Sequence, residues 1–131
     1  MAYYKNTDDT IRSVSLYGRT EKKFRFAFSN FLDSFYRASQ EERIIMISEE
    51  PAEMQDRVHL AILAAAANRL ANLHGVPVPS WVYKGMYFLD ESEPYYDNVN
   101  HAEYREWLRR TTPLEFSSRH LFLGADVLSR A

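Results

Sequence analysis

The chain has 131 residues, 19 of them aromatic, no cysteine and a formal charge of −2. That length suits one domain burying roughly two-thirds of its unfolded surface, with no need of a disulfide or metal staple. The absence of cysteine excludes disulfide frameworks, thiolate zinc sites, iron–sulfur ligation and cysteine nucleophiles.

Residues 1–18 open on a polar, acidic stretch with no apolar signal core behind a basic start. A short helix is expected from about Thr10 to Tyr17, stopped by Gly18, after a frayed or flexible start. Thr20 caps a second helix running to about Ser39. Phe24, Phe28, Phe31, Leu32 and Phe35 recur at spacings of three and four and define its apolar face. Phe26 lies off that stripe and is expected to be covered by a neighbouring segment. Gln40 to Glu49 reads as a short helix whose acidic first turn suits the helix dipole.

The clearest element runs from Pro51 or Ala52 to His74, with Pro51 in its first turn and Gly75 as its left-handed stop. Leu60, Leu63, Ala64, Ala67, Leu70, Ala71 and His74 share one face, and every side chain from Leu60 to Ala67 is apolar. A helix apolar all round is a buried one, so this is the expected central helix. Residues 76–99 change texture, with three prolines and six aromatics. A short helix near Ser80–Lys84 is expected there, within an otherwise irregular segment. Asn100 then caps a helix through about Arg110, with Tyr104, Trp107 and Leu108 on its apolar side. Pro113 opens a short turn of helix through Ser118, Leu121 to Leu123 is extended, and Ala125 to Arg130 is a last helical turn.

Nine aromatics lie in residues 3–36 and ten in residues 81–122, with none between Arg37 and Ser80. The small side chains of the Ala-rich helix admit close neighbours, and the flanking aromatics fill the space around it. The expected fold is all-α: a compact single-domain helical bundle around a buried Ala-rich central helix, with an irregular aromatic-rich segment.

Charge follows position. Residues 1–40 carry +3, residues 41–100 carry −6 and residues 101–131 carry +1. The pI of about 6.1 argues against a phosphate-tracking surface. The longest apolar run, Leu60 to Ala67, is eight residues, far short of the ~20 that cross a bilayer. The expectation is a soluble, cytoplasmic protein.

No catalytic pattern is present. His59, His74, His101 and His120 include no pair at helical metal-site spacing, and His59 and His74 lie about four turns apart on one helix. Each is read as a structural or surface histidine, and no metal or cofactor is expected. The acidic pairs and the Asp90-Glu91-x-Glu93 run read as solvated, and the run lacks the ligand spacing and glycine of a calcium loop. The glycines are isolated, so no phosphate-cradling loop exists, and no serine sits in a nucleophile elbow.

Two stretches stand out. Pro77-x-Pro79-x-Trp81 forces extended backbone and presents Trp81, as a strap laid on the core or as part of a partner groove. Pro113-x-x-Phe116-x-x-Arg119-His120-x-Phe122 sets Arg119 between aromatic anchors. There it caps carbonyls, pairs with a buried carboxylate, stacks on a ring, or recognises an acidic partner.

These stretches, with Phe31-Leu32-Asp33-Ser34-Phe35-Tyr36 and Glu50-Pro51, resemble a bacterial all-helical domain family ending in a Pro-x-x-Phe-x-x-Arg-Asn-x-Phe type of motif. The resemblance covers about residues 24–131. His120 stands where the pattern has asparagine. Similar domains sit behind a DNA-binding helix-turn-helix or are encoded beside abortive-infection nucleotidyltransferase toxins. The 23 residues upstream are too short for such a reader, so the resemblance implies a partner-facing domain with an antitoxin-like or regulatory role.

The leading expectation is a non-enzymatic interaction domain that binds a protein, a toxin or a second copy of itself, through Trp81, Asp90, Glu91, Glu93, Arg119 and His120. One alternative is a small enzyme or small-molecule binder with a pocket lined by the late aromatics and Arg119 or His120. A second is nucleic-acid binding through Lys22, Lys23 and Arg25, a less favoured partner class at this pI.

Overall fold

The computed structural model describes residues 9–97 and 101–129. Helix α1 (Ile11–Tyr17) starts on a capping box: the Thr10 hydroxyl accepts from the Ser13 N–H, and the Ser13 hydroxyl accepts from the Thr10 N–H. Gly18 ends it. A Cβ there would lie 2.8 Å from the Phe24 Cα and 2.9 Å from the Val14 carbonyl, so this turn admits no side chain. Helix α2 (Glu21–Arg37) is capped by Thr20, and helix α3 (Gln40–Ser48) by a Ser39–Glu42 capping box. Phe24, Phe31, Leu32 and Phe35 are buried and Phe28 half-buried, as their spacing requires. Phe26 corrects the expectation of cover: it is 70% exposed, because no segment among the described residues passes over that face of α2.

Helix α4 (Arg57–His74) begins five residues after the expected Ala52. Asp56 sets the boundary, its Oδ1 accepting from the N–H groups of Val58 and His59 at 2.9 and 3.1 Å. The preceding segment is held out of the helix by tertiary bonds. The Ala52 N–H donates to Ser15 Oγ, Arg12 to the Glu50 carbonyl and Arg19 to the Glu53 carbonyl. Gly75 closes α4 with φ of 67°, a conformation that costs a residue with a Cβ.

Ala61, Leu63, Ala64 to Ala67 and Leu70 have no exposed surface, so α4 is the centre of the core. Rings tie α2 to it: Phe24 stacks on His59, and Phe35 meets His74 edge-on. Beyond Gly75, residues 76–79 carry no regular secondary structure and lead, through an extended Pro79, into two 3-10 turns, Ser80–Tyr83 and Gly85–Tyr87, which pack on α4. Burial of Trp81, Tyr87 and Phe116 on this side supplies the second aromatic flank.

Helix α5 is Ala102–Thr111, with His101 at its N-cap position and no side-chain cap bond, whereas the expected cap, Asn100, lies outside the described residues. Pro113 precedes the short α6 (Leu114–Ser117). Leu121–Phe122 forms β2, paired in parallel with β1 (Tyr95–Tyr96), in register Tyr95 with Leu121 and Tyr96 with Phe122. The extended Leu121–Phe122 thus pairs with a strand inside the aromatic segment, which no local pattern marks. Residues 125–128 form turns rather than a helix. The Tyr36 hydroxyl donates to the Leu128 carbonyl at 2.7 Å and pins the C-terminal stretch to α2. The architecture is all-α, a compact single domain, and no helix among the described residues is long and apolar enough to cross a membrane.

Candidate functional site

The expected contact residues divide into buried and exposed. Trp81 is 6% exposed; its indole N–H donates to the Ile47 carbonyl at 3.0 Å and its ring meets Tyr87 edge-on at 5.3 Å. The Ile47 carbonyl lies in the last turn of α3, where carbonyls lack intrahelical partners, so Trp81 both fills the core and caps that helix. Arg119 is 1% exposed. Its Nη1 donates to the Glu115 carbonyl and its Nη2 to the Val82 carbonyl, both at 2.7 Å, while the guanidinium lies 4.5 Å from the centroid of Phe88. Its Nε has no hydrogen-bond partner among the described residues. Burial pulls its pKa below the ordinary arginine value. Both side chains are turned inward.

Asp90, Glu91 and Glu93 are exposed on a turn closed by Asp90, whose Oδ1 accepts from the N–H and hydroxyl of Ser92 at 3.0 Å. These bonds hold the Asp90 carboxyl below its usual range. The turn is fastened at both ends to the arginine–histidine pair. The Leu89 N–H donates to the Arg119 carbonyl and the Tyr95 N–H to the His120 carbonyl. His120 is half-buried with φ of 63°, among the described residues the sole non-glycine with positive φ. Histidine is among the non-glycine residues enriched in this left-handed conformation. Of the candidate basic surface, Lys22 and Lys23 are exposed and Arg25 pairs with Glu21 at 2.9 Å.

Two features escaped the sequence reading. The first is a cleft of about 390 Å³ between α2, α4 and β1, whose lining includes Glu21, Asp56 and His59. His59 is 5% exposed, and its ring lies flat on Phe24, 3.9 Å between centroids and 1° between planes. Its Nε2 is 3.0 Å from Glu21 Oε1 and its Nδ1 is 3.6 Å from Asp56 Oδ2. Bonds from Arg25 and from His59 hold the Glu21 carboxyl below its usual range. Phe24 follows Glu21 by one helical turn, so a single face of α2 supplies both the stacking ring and the carboxylate. The Asp56-x-x-His59 spacing was visible, but Glu21 is 38 residues away in the chain.

The second is the outer face of α5. Leu108 alone of that helix is buried, while Tyr104 and Trp107 stack on each other at 5.3 Å and stay 48% and 43% exposed. Beside them the guanidinium groups of Arg105 and Arg109 lie 4.6 and 5.7 Å from the centroid of Tyr96. Arg109 also donates to the Tyr96 hydroxyl and pairs with Glu106. The signal for this surface was the amphipathic pattern of α5, which sequence reasoning assigned to the core. No protein-family profile, curated protein or solved structure matches the chain.

Proposed function

We propose that the protein is a non-enzymatic interaction domain that docks an acidic-surfaced protein partner on the outer face of α5. The observation that carries this reading is the stacked Tyr104–Trp107 pair, left open to solvent on the helix that also exposes Arg110. Tyrosine, tryptophan and arginine are the residues enriched at the energetic centres of protein interfaces. A pre-stacked pair also loses little side-chain freedom on binding, which lowers the cost of association. Arg110, exposed one helical turn after Trp107, selects a partner with acidic groups around an apolar seat. The resemblance of residues 24–131 to partner-facing domains of bacterial toxin systems gives the partner a class, a toxin held in an antitoxin-like complex.

The test is binding of the partner isolated from the native host, measured against Trp107→Ala and Arg110→Glu. Truncating an interface tryptophan of this kind costs about 2 kcal/mol or more, roughly 30-fold in affinity. The melting temperature should hold, because both side chains are exposed. A partner that binds both variants as tightly as the wild type would overturn the assignment. So would a wild-type chain that captures no partner and stays monomeric.

A further inference from the structure

We propose that Glu21, Asp56 and His59 bind a divalent transition-metal ion of the zinc class. One imidazole nitrogen and two carboxylate oxygens, one from each residue, lie within 4.8 Å of one another. Ligands of a tetrahedral ion with bonds of ~2.0–2.1 Å stand roughly 3.3 Å apart. Glu21 faces Nε2 and Asp56 faces Nδ1, so an ion takes one ring nitrogen and draws the other carboxylate round to it; the two side chains, 62% and 48% exposed, are open enough to rotate.

The cluster differs from a chance meeting of acidic groups in how each donor is held. Glu21 gives Oε2 to Arg25 at 2.9 Å and points Oε1 at His59. Asp56 gives Oδ1 to two backbone N–H groups and leaves Oδ2 on the imidazole side. Phe24 fixes the plane of the imidazole. Each residue thus has one atom or face anchored by the fold and another turned toward the rest of the cluster, the support that outer-shell contacts give a metal site. The positive ends of α2 and α4, which disfavour a cation, face carboxylates, and Asp56 Oδ1 is spent wholly on the α4 terminus. Two carboxylates balance a divalent charge, and the imidazole favours zinc-like ions over magnesium or calcium, which take oxygen. Three protein ligands leave a fourth position, and the cleft of about 390 Å³ opens beside it. The site uses no residue of the α5 face, so it stands or falls independently of the docking reading.

The experiment titrates the chelator-stripped full chain with Zn²⁺, with Co²⁺ as the spectroscopic probe and Mg²⁺ as the control. Glu21→Gln and Asp56→Asn are the test variants. Asparagine still caps a helix and Glu21 is exposed, so both should keep the metal-free melting curve. The expected result is one Zn²⁺ or Co²⁺ per chain, a raised melting temperature, visible cobalt bands and no response to Mg²⁺. Affinity should fall about tenfold or more in each variant. In the wild type, the imidazole NMR signals of His59 should move on Zn²⁺ addition, a readout that needs no variant. Absence of saturable binding, unchanged affinity in both variants, or an unmoved His59 would each overturn the proposal and leave the cluster as a clamp between helix starts.

Discussion

Trp81 is where a contact role and a structural role part most sharply, and Trp81→Ala separates them. An indole buries about 200 Å², worth ~5 kcal/mol at 25 cal/mol per Å² as an upper bound. With 6% of the residue exposed, nearly all of that applies. The substitution also strips the Ile47 carbonyl of its 3.0 Å donor, which costs about 1 kcal/mol or more. Against this, Trp81 borders a groove with Ile44, Pro77 and Pro79, and a site at the edge of the core collapses or hydrates more readily than one at its centre. The balance is a destabilisation of about 3–4 kcal/mol. For a chain of this length that lowers the melting temperature by roughly 10–15 °C. Trp81→Phe keeps most of the packing but not the donor and should cost about 1–2 kcal/mol. Urea unfolding followed by far-UV circular dichroism measures both. A loss below about 1 kcal/mol for Trp81→Ala, or equal losses for the two variants, would refute the strap-and-cap account.

Two further outcomes follow from local geometry. His120→Gly should stabilise the chain, by up to ~1 kcal/mol, because glycine occupies φ of 63° without the steric cost borne by a side chain. A β-branched residue such as valine there should destabilise it, and the same unfolding assay reads the ordering glycine, histidine, valine. The second outcome is acid sensitivity. Glu50 accepts from Lys84 Nζ and from the Tyr87 hydroxyl, both at 2.7 Å, and these bonds hold its carboxyl below the ordinary value of 4.5. A carboxyl depressed in the folded state binds fewer protons there than in the unfolded chain. Its contribution is therefore full above pH 4.5 and is lost as pH falls through the folded-state value. Glu50→Gln should flatten that part of the stability–pH curve, and an unchanged acid limb would count against it.

Local patterns carried most of the helical architecture. The stripe from Phe24 to Phe35, the cap at Thr20, and Gly75 after the Ala-rich run are signals read within a turn or two of the chain, and the helices formed there. The misses share a cause: each was decided by a partner distant in sequence. Pro51 could open a helix by its own chemistry, yet a bond to Ser15 and bonds from Arg12 and Arg19 hold residues 50–53 out of α4. Phe26 and Trp107 are equally apolar whether or not another segment crosses them. The His59 cluster depends on α2 docking beside the start of α4, which sets Glu21 and Phe24 around one imidazole.

By itself the sequence determined the class of fold, the central helix, and the aromatic flanks that surround it, because periodicity and capping are properties of neighbours. Tertiary structure alone decided which aromatics are spent in the core and which stay open. Trp81 and Arg119 went inward, where an indole and a guanidinium answer carbonyls left over by helix ends and turns. Tyr104 and Trp107 stayed outside, because among the described residues nothing packs over that face of α5. Burial is a relation between segments, and the sequence states only one side of it.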